Sequence, residues 1–140
     1  MSWLQTQILQ NPQKLFIQEG DDKYSYKDVG EMAYAYSQAF LKEGIQPHDI
    51  ILIYLPGGVE MAEIILACFE MGAVASPISQ NLTKNECKAV IASIQPKLII
   101  TNWDGRESFQ RVSLPCTCIE ELLSSSGGCS IYKNIYKNNL

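Results

Sequence analysis

The stretch that most restricts how this chain can fold is residues 50–77, IILIYLPGGVEMAEIILACFEMGAVASP. Residues 50–55 are almost continuously apolar, the pattern of a strand covered on both faces. Pro56-Gly57-Gly58 breaks the run. Residues 59–71 then place Met61, Ile64, Ile65, Cys68 and Met71 at three- and four-residue spacing, the period of an amphipathic helix. Gly72 stops that helix, and residues 73–77 supply a second strand of small side chains. Strand, helix and strand at these lengths make one βαβ unit, because parallel neighbours need a crossover of about a dozen residues.

The flanking sequence extends the unit. Residues 3–10 read as a short helix ended by Asn11-Pro12, and residues 14–19 and 23–26 as two strands turning at Gly20-Asp21-Asp22. Ser25 with Asp28 is a capping-box start for a helix over residues 27–43, whose apolar face is Val29, Met32, Ala33, Tyr36, Ala39 and Phe40. Gly44 is placed to end it, and Pro47 prevents continuation. Thr83 with Glu86 opens a third helix to about Ser93, and residues 97–101 read as another buried strand.

Past residue 101 the periodicity fades. Residues 104–109 suit a helical turn, 112–119 an extended run and 120–123 one more turn. Residues 124–130 are rich in Ser and Gly, and the end, IYKNIYKNNL, repeats its own tetrapeptide. The expectation is an α/β fold: a partial parallel sheet with flanking helices, a βαβαβ core over about residues 49–101, preceded by a short β-hairpin and helix. Residues 1–103 form the body, and residues 104–140 are expected to be a weakly structured tail.

Composition narrows the partners. The 140 residues are 46% apolar and 19% charged, enough for a core. A net charge of −4 argues against nucleic acid, whose binding proteins need Lys and Arg to displace counterions. No run of 18 apolar residues exists, so no membrane span is expected. The N-terminus lacks a basic start followed by an apolar core, so no secretory signal is expected either. Five cysteines, Cys68, Cys87, Cys116, Cys118 and Cys129, follow no disulfide-scaffold spacing. They fit reduced thiols in the cytoplasm or an organelle stroma, where the sequon Asn81-Leu82-Thr83 would stay unglycosylated.

Three segments resemble the N-terminal part of the adenylate-forming (AMP-binding) acyl-CoA synthetase/ligase superfamily. Residues 24–29, YSYKDV, resemble its Thr/Ser-Tyr-x-Glu-Leu segment, with Asp28 and Val29 replacing Glu and Leu. Residues 49–60, DIILIYLPGGVE, are similar to its D-x-V-x-x-x-L-P-N-x-x-E stretch, with Gly57 at the Asn position. Residues 69–77, FEMGAVASP, resemble its K-x-G-A-x-x-x-P segment. The opening Trp3-Leu4 with Asn11-Pro12 resembles that of o-succinylbenzoate–CoA ligases, which act in menaquinone and phylloquinone biosynthesis.

The resemblance implies the N-terminal portion of an ATP-dependent carboxylic acid–CoA ligase, whose complete enzyme uses ATP, Mg²⁺ and CoA. The family's phosphate loop ends in Thr-Gly-x-Pro-Lys, and no such segment occurs in this chain. Ser124-Ser125-Ser126-Gly127-Gly128 imitates only its composition. The reading therefore assigns no catalytic, cofactor-binding or metal-binding residue, and expects no cofactor bound by this chain. Its expected partners are a complementing C-terminal ligase portion, or a second copy meeting an exposed sheet surface. A stand-alone interaction module derived from such a ligase is the alternative.

Other groups invite sharper readings that the residues do not sustain. Pro56-Gly57-Gly58 before a helix looks like a phosphate cradle, but it matches no phosphate-loop pattern and carries Glu60 in the first turn. Cys116 and Cys118 with Cys129 fall short of a four-ligand zinc site, and His48, the single histidine, sits beside Pro47. The pairs Asp21-Asp22 and Glu120-Glu121 read as solvated. Tyr24, Tyr26, Tyr34 and Tyr36 read as packing around the first long helix rather than an acyl pocket.

Overall fold

The computed structural model describes residues 2–125. In chain order it contains α1 (Trp3–Gln10), β1 (Leu15–Glu19), β2 (Asp22–Ser25), α2 (Tyr26–Lys42), β3 (Ile50–Tyr54), α3 (Val59–Met71), β4 (Val74–Pro77), α4 (Lys84–Ile94) and β5 (Leu98–Thr101). A 3₁₀ turn (Arg106–Phe109), β6 (Cys116–Cys118) and α5 (Ile119–Ser125) follow.

Local chemistry sets the element ends. Ser25 and Asp28 form the anticipated capping box: the Asp28 N–H donates to Ser25 Oγ at 3.1 Å, and the Ser25 N–H to Asp28 Oδ2 at 2.9 Å. Thr83 and Glu86 do the same for α4, at 3.1 and 2.8 Å. Gly72 ends α3 in the left-handed region at φ 76°, where a Cβ is costly. Its carbonyl accepts from the His48 N–H at 2.8 Å, so His48 is part of the turn that feeds β3.

β1 and β2 form the expected antiparallel hairpin, with Glu19 opposite Asp22. The main sheet has four parallel strands in the order β4-β3-β5-β6. From β3 the chain moves outward to β4, then crosses back over β3 to β5. Crossovers keep one hand, so a reversal of direction sends successive helices to opposite faces. Accordingly Ile64, Ala67 and Cys68 of α3 pack with α2 and α5 over Ile51, Ile53, Leu98 and Ile100. Cys87 and Ile91 of α4, with Phe109, cover Leu52, Tyr54 and Ile99.

Both faces of the central strands are thereby buried, with Ile51, Leu52, Ile53, Ile99 and Ile100 all at 0% exposure. The expectation of an exposed sheet surface meets a covered sheet; the surface the sheet leaves open is its two edge strands, β4 and β6. Where the sequence pattern fades, residues 104–125 carry β6 as the fourth strand and α5 as part of the core, with Ile119, Leu122 and Leu123 buried against α2. The extended run expected over residues 112–119 contains β6, and the turn expected over residues 120–123 lies within α5. Residues 126–140, including Cys129 and the tetrapeptide repeat, lie outside the described residues.

Two of the four tyrosines, Tyr24 and Tyr36, are buried in the same core cluster. Tyr36 is buried and stacks on Phe40 at 6.4 Å, Tyr34 is exposed, and Tyr26 meets Phe16 edge-on at 4.4 Å. Trp3 joins that pair at 6.2 Å from each ring, which seats α1 against the hairpin and the start of α2. Gly30 allows the close approach, because a Cβ there would collide with the side chain of Ile8.

Candidate functional site

In an open parallel sheet, ligands favour the carboxyl ends of strands where neighbouring connections leave to opposite faces. Here that switch point lies between β3 and β5. A crevice of about 190 Å³ opens there, lined by Glu19, Leu55, Pro56, Gly57, Gly58, Val59, Glu60 and Asn102. Small-molecule sites generally offer about 300–1,000 Å³, so the crevice is undersized for a nucleotide.

Its polar groups are turned on one another. The Val59 N–H, at the start of α3, donates to Glu19 Oε2 at 3.4 Å. A carboxylate from the hairpin thus occupies the position that an external anion would take at this helix end. A Cβ on Gly58 would come within 2.7 Å of Glu19 Oε1, so glycine is what admits the carboxylate. Asn102 Oδ1 accepts from the Gly105 N–H at 2.8 Å, which commits that side chain to its own turn. Beneath it, Thr101 Oγ1 donates to the Tyr54 carbonyl at 2.9 Å and ties the ends of β5 and β3 together. Glu60 adds a second carboxylate. The site is acid-lined and self-capped, and Pro56-Gly57-Gly58 serves as a structural turn.

Next to it, Glu60, Asn102, Trp103, Asp104, Ile119 and Glu120 line a shallower hollow of about 230 Å³. The Trp103 N–H donates to Glu120 Oε2 at 3.1 Å, and Arg106 Nη2 donates to both carboxylate oxygens of Glu121 at 2.8 Å each. Glu120 and Glu121 therefore anchor the loop after β5 to α5, contacts that span 15–17 residues and leave no local sequence signal. Asp21 is exposed beside Gly20, and Asp22 is exposed at the start of β2.

Cys116 and Cys118 lie two apart on β6, and no group of three or more metal-ligating side chains exists among the described residues. Burial pushes the Cys116 thiol up to about 11, aided by the neighbouring Cys118 and opposed by Arg106. Burial likewise raises Cys118, and it pushes Cys68 up to about 12. These are protonated, unreactive thiols at neutral pH. Among the described residues no helix is long and apolar enough to cross a membrane.

A family model described as "AMP-binding enzyme" matches residues 4–133. The acetyl-coenzyme A synthetase of Psychromonas ingrahamii is 25% identical over 118 residues, 84% of this chain and 18% of that enzyme. The acetyl-coenzyme A synthetase of Escherichia coli O157:H7 is 31% identical over 103 residues, 70% of this chain and 16% of that enzyme. Among solved structures, the o-succinylbenzoate coenzyme A synthetase MenE of Bacillus subtilis in complex with AMP superposes with a TM-score of 0.80 at 15% identity. That match covers 88% of this chain and 32% of MenE. NpsA of Klebsiella oxytoca, in complex with 3-hydroxyanthranilyl-AMSN, superposes with a TM-score of 0.79 at 17% identity, over 88% of this chain and 25% of NpsA. The chain thus spans a third or less of each of these proteins, and the structural likeness establishes the shared fold. With the family model matched across residues 4–133, the chain belongs to the AMP-binding enzyme family.

Proposed function

We propose that this chain is the N-terminal scaffold of an ATP-dependent carboxylic acid–CoA ligase and carries no adenylation chemistry by itself. In the complete enzyme a substrate carboxylate oxygen would attack the α-phosphorus of ATP, releasing pyrophosphate. A CoA thiol would then displace AMP from the acyl-adenylate, with Mg²⁺ offsetting charge during the first step. The observation that carries the reading is the family match over residues 4–133 in a chain without Thr-Gly-x-Pro-Lys. The small volume of the switch-point crevice and the Glu19 carboxylate held on the Val59 N–H support it, since a nucleotide would need more room and would meet that negative charge.

As acid substrate we favour o-succinylbenzoate, which would place the parent enzyme in menaquinone or phylloquinone biosynthesis in the cytoplasm or an organelle stroma. The opening Trp3-Leu4 and Asn11-Pro12 and the MenE superposition support that choice. The proposed partner is a complementing C-terminal ligase portion. The decisive measurement is carboxylate-dependent ATP–pyrophosphate exchange by the purified chain. No exchange alone, and exchange with o-succinylbenzoate once a C-terminal ligase portion is added, is the expected pair of results. Exchange by the chain alone would overturn the scaffold reading.

A second reading, an interaction module without catalysis, would draw on exposed apolar side chains such as Leu9, Phe69 and Trp103, at 69%, 66% and 64% exposure. It predicts self-association of the isolated chain in sedimentation. A monodisperse monomer that gains activity with the ligase portion would eliminate it.

A further inference from the structure

Helix α2 is enclosed on most sides, and what it leaves open is narrow. Between Tyr26 and Lys42 the exposed residues are Lys27, Glu31, Tyr34, Gln38, Leu41 and Lys42, and all the others are buried or half-buried. The first five recur at alternating four- and three-residue spacing, and Lys42 follows Gln38 by four. All six therefore share one stripe, with the spacing of a seam between two helices. The stripe runs about 22 Å along α2.

Its two halves differ. Beside the first half, α1 and α2 enclose a groove of about 540 Å³, with Ile8, Leu9 and Pro12 on one wall and Glu31 and Tyr34 on the other. The second half carries Leu41, an aliphatic side chain exposed at 53%. A hole at one end of a helix and a knob at the other cannot meet within one chain. Two copies laid antiparallel about a two-fold axis bring each Leu41 to the groove of the other copy, and the symmetry makes both contacts at once.

Charge selects the same arrangement. With the axis between Tyr34 and Gln38, Glu31 of each copy lies opposite Lys42 of the other, and Tyr34 lies opposite Gln38. Within one chain Glu31 already reaches Lys27 at 3.9 Å, so in the pair it stands between two cations. A parallel arrangement would set Glu31 on Glu31 and Lys42 on Lys42, which is repulsive. The groove's other wall adds no charge, because α1, WLQTQILQ, has no ionic side chain. Exposed Tyr and Leu with few charges to desolvate are the composition of an interface centre.

We propose that this chain forms a two-fold homodimer through the exposed stripe of α2, with Leu41 of each copy seated in the α1–α2 groove of the other. The contact covers about four helical turns, so the dimer is a weak one that depends on concentration. It uses no residue of the switch-point crevice and goes beyond the ligase reading, since dimerisation and ATP–pyrophosphate exchange are measured separately.

The test is sedimentation velocity of the full chain over a concentration series, in buffer without ATP, carboxylic acid or CoA. The expected result is a monomer–dimer equilibrium with no larger species, because a two-fold contact closes on itself. Leu41→Ser is expected to weaken the dimer about tenfold or more, the scale of one leucine returned to water. Glu31→Lys and Lys42→Glu each bring like charges together and are expected to weaken it about tenfold, while the double variant recovers most of the loss. Lys88→Glu on α4, across the sheet, makes the same charge change as Lys42→Glu and is expected to leave the dimer unchanged. All four positions are exposed, and thermal unfolding by circular dichroism checks that each variant folds like the parent. A monomer at every concentration would overturn the proposal. So would assembly beyond a dimer, a dimer indifferent to Leu41→Ser, or a double variant no better than the single swaps. A monomer that shows exchange with a C-terminal ligase portion defeats this inference and leaves the ligase reading standing, and a dimer without exchange does the reverse.

Discussion

Glu19 and Val59 are 40 residues apart in sequence, and the Glu19 carboxylate accepts the Val59 backbone N–H at 3.4 Å, joining the N-terminal hairpin to the first turn of α3. The contact does the work of a helix cap, although Gly58 at the cap position has no side chain to do it. Because Glu19 enters over Gly58, the two positions are coupled.

That coupling gives a double-mutant cycle. Glu19→Ala is expected to cost about 0.5–1 kcal/mol, at the lower end for lost caps because the bond is long. Gly58→Ala is expected to cost about 1–2 kcal/mol, since its Cβ would displace the Glu19 carboxylate. The double variant should cost less than the sum, because nothing remains for the Cβ to displace. Gly57→Ala should be neutral within about 0.5 kcal/mol, as no atom lies within 4 Å of a Cβ built there. Urea denaturation measures all four.

A second prediction concerns the strand ends behind the crevice. A Cβ on Gly105 would collide with Thr101 Oγ1 and lie 3.0 Å from Tyr54 Cδ1. Gly105→Ala should therefore cost about 1–3 kcal/mol through overpacking. Thr101→Val keeps the shape, removes the bond to the Tyr54 carbonyl and should cost about 1–2 kcal/mol. Thermal unfolding followed by near-ultraviolet circular dichroism reports both.

The order of residues 116–123 is testable through Leu122, which is 1% exposed in the same cluster as Ile100 and Phe40. Leu122→Ala should cost about 2–4 kcal/mol with the urea m-value unchanged, the behaviour of a position inside one cooperative core. A cost below about 0.5 kcal/mol would show that α5 is not part of the cooperative unit.

Alkaline pH should destabilise the fold through its buried thiols. Burial pushes Cys68 up to about 12 and Cys116 up to about 11, while the unfolded chain releases these protons near pH 8.5. The native state then holds more protons than the unfolded state, so stability is fully present below about pH 8.5 and falls as pH rises toward 11–12. Each thiol contributes at most about 1.4 kcal/mol per pH unit in that window. Denaturation midpoints at pH 7.5 and 9.5 should differ in this direction, and Cys68→Ala should reduce the difference.

Much of the architecture was legible from residues acting on near neighbours. Ser25 with Asp28 and Thr83 with Glu86 announced two helix starts, because a capping box closes within three residues. Gly72 announced a helix end for the same kind of reason. The apolar run at residues 50–55 predicted a strand buried on both faces, and β3 is one. An extended run and a turn were legible over residues 112–123, but the pairing of β6 with β5 and the burial of Leu122 against α2 were not, since they depend on contacts between distant segments.

The candidate sites divided along the same line. Glu60 in the first turn of α3 was enough to disfavour a phosphate cradle at Pro56-Gly57-Gly58. That Glu19 fills the helix end was invisible, because hairpin and helix meet only once α2 has folded between them. The groove beside α2 was equally hidden: Tyr34 and Leu41 share a face by spacing, but the groove exists only where α1 packs against Gly30.

By itself the sequence determined the βαβ unit at residues 50–77 and the family to which it is similar, because hydrophobic period, glycine stops and caps act over a few residues. Only the tertiary structure decided that the switch-point crevice is closed by its own carboxylate and that one stripe of α2 stands open beside a groove. Those outcomes depend on which groups distant segments bring within a few ångströms, and chain order alone does not encode that distance.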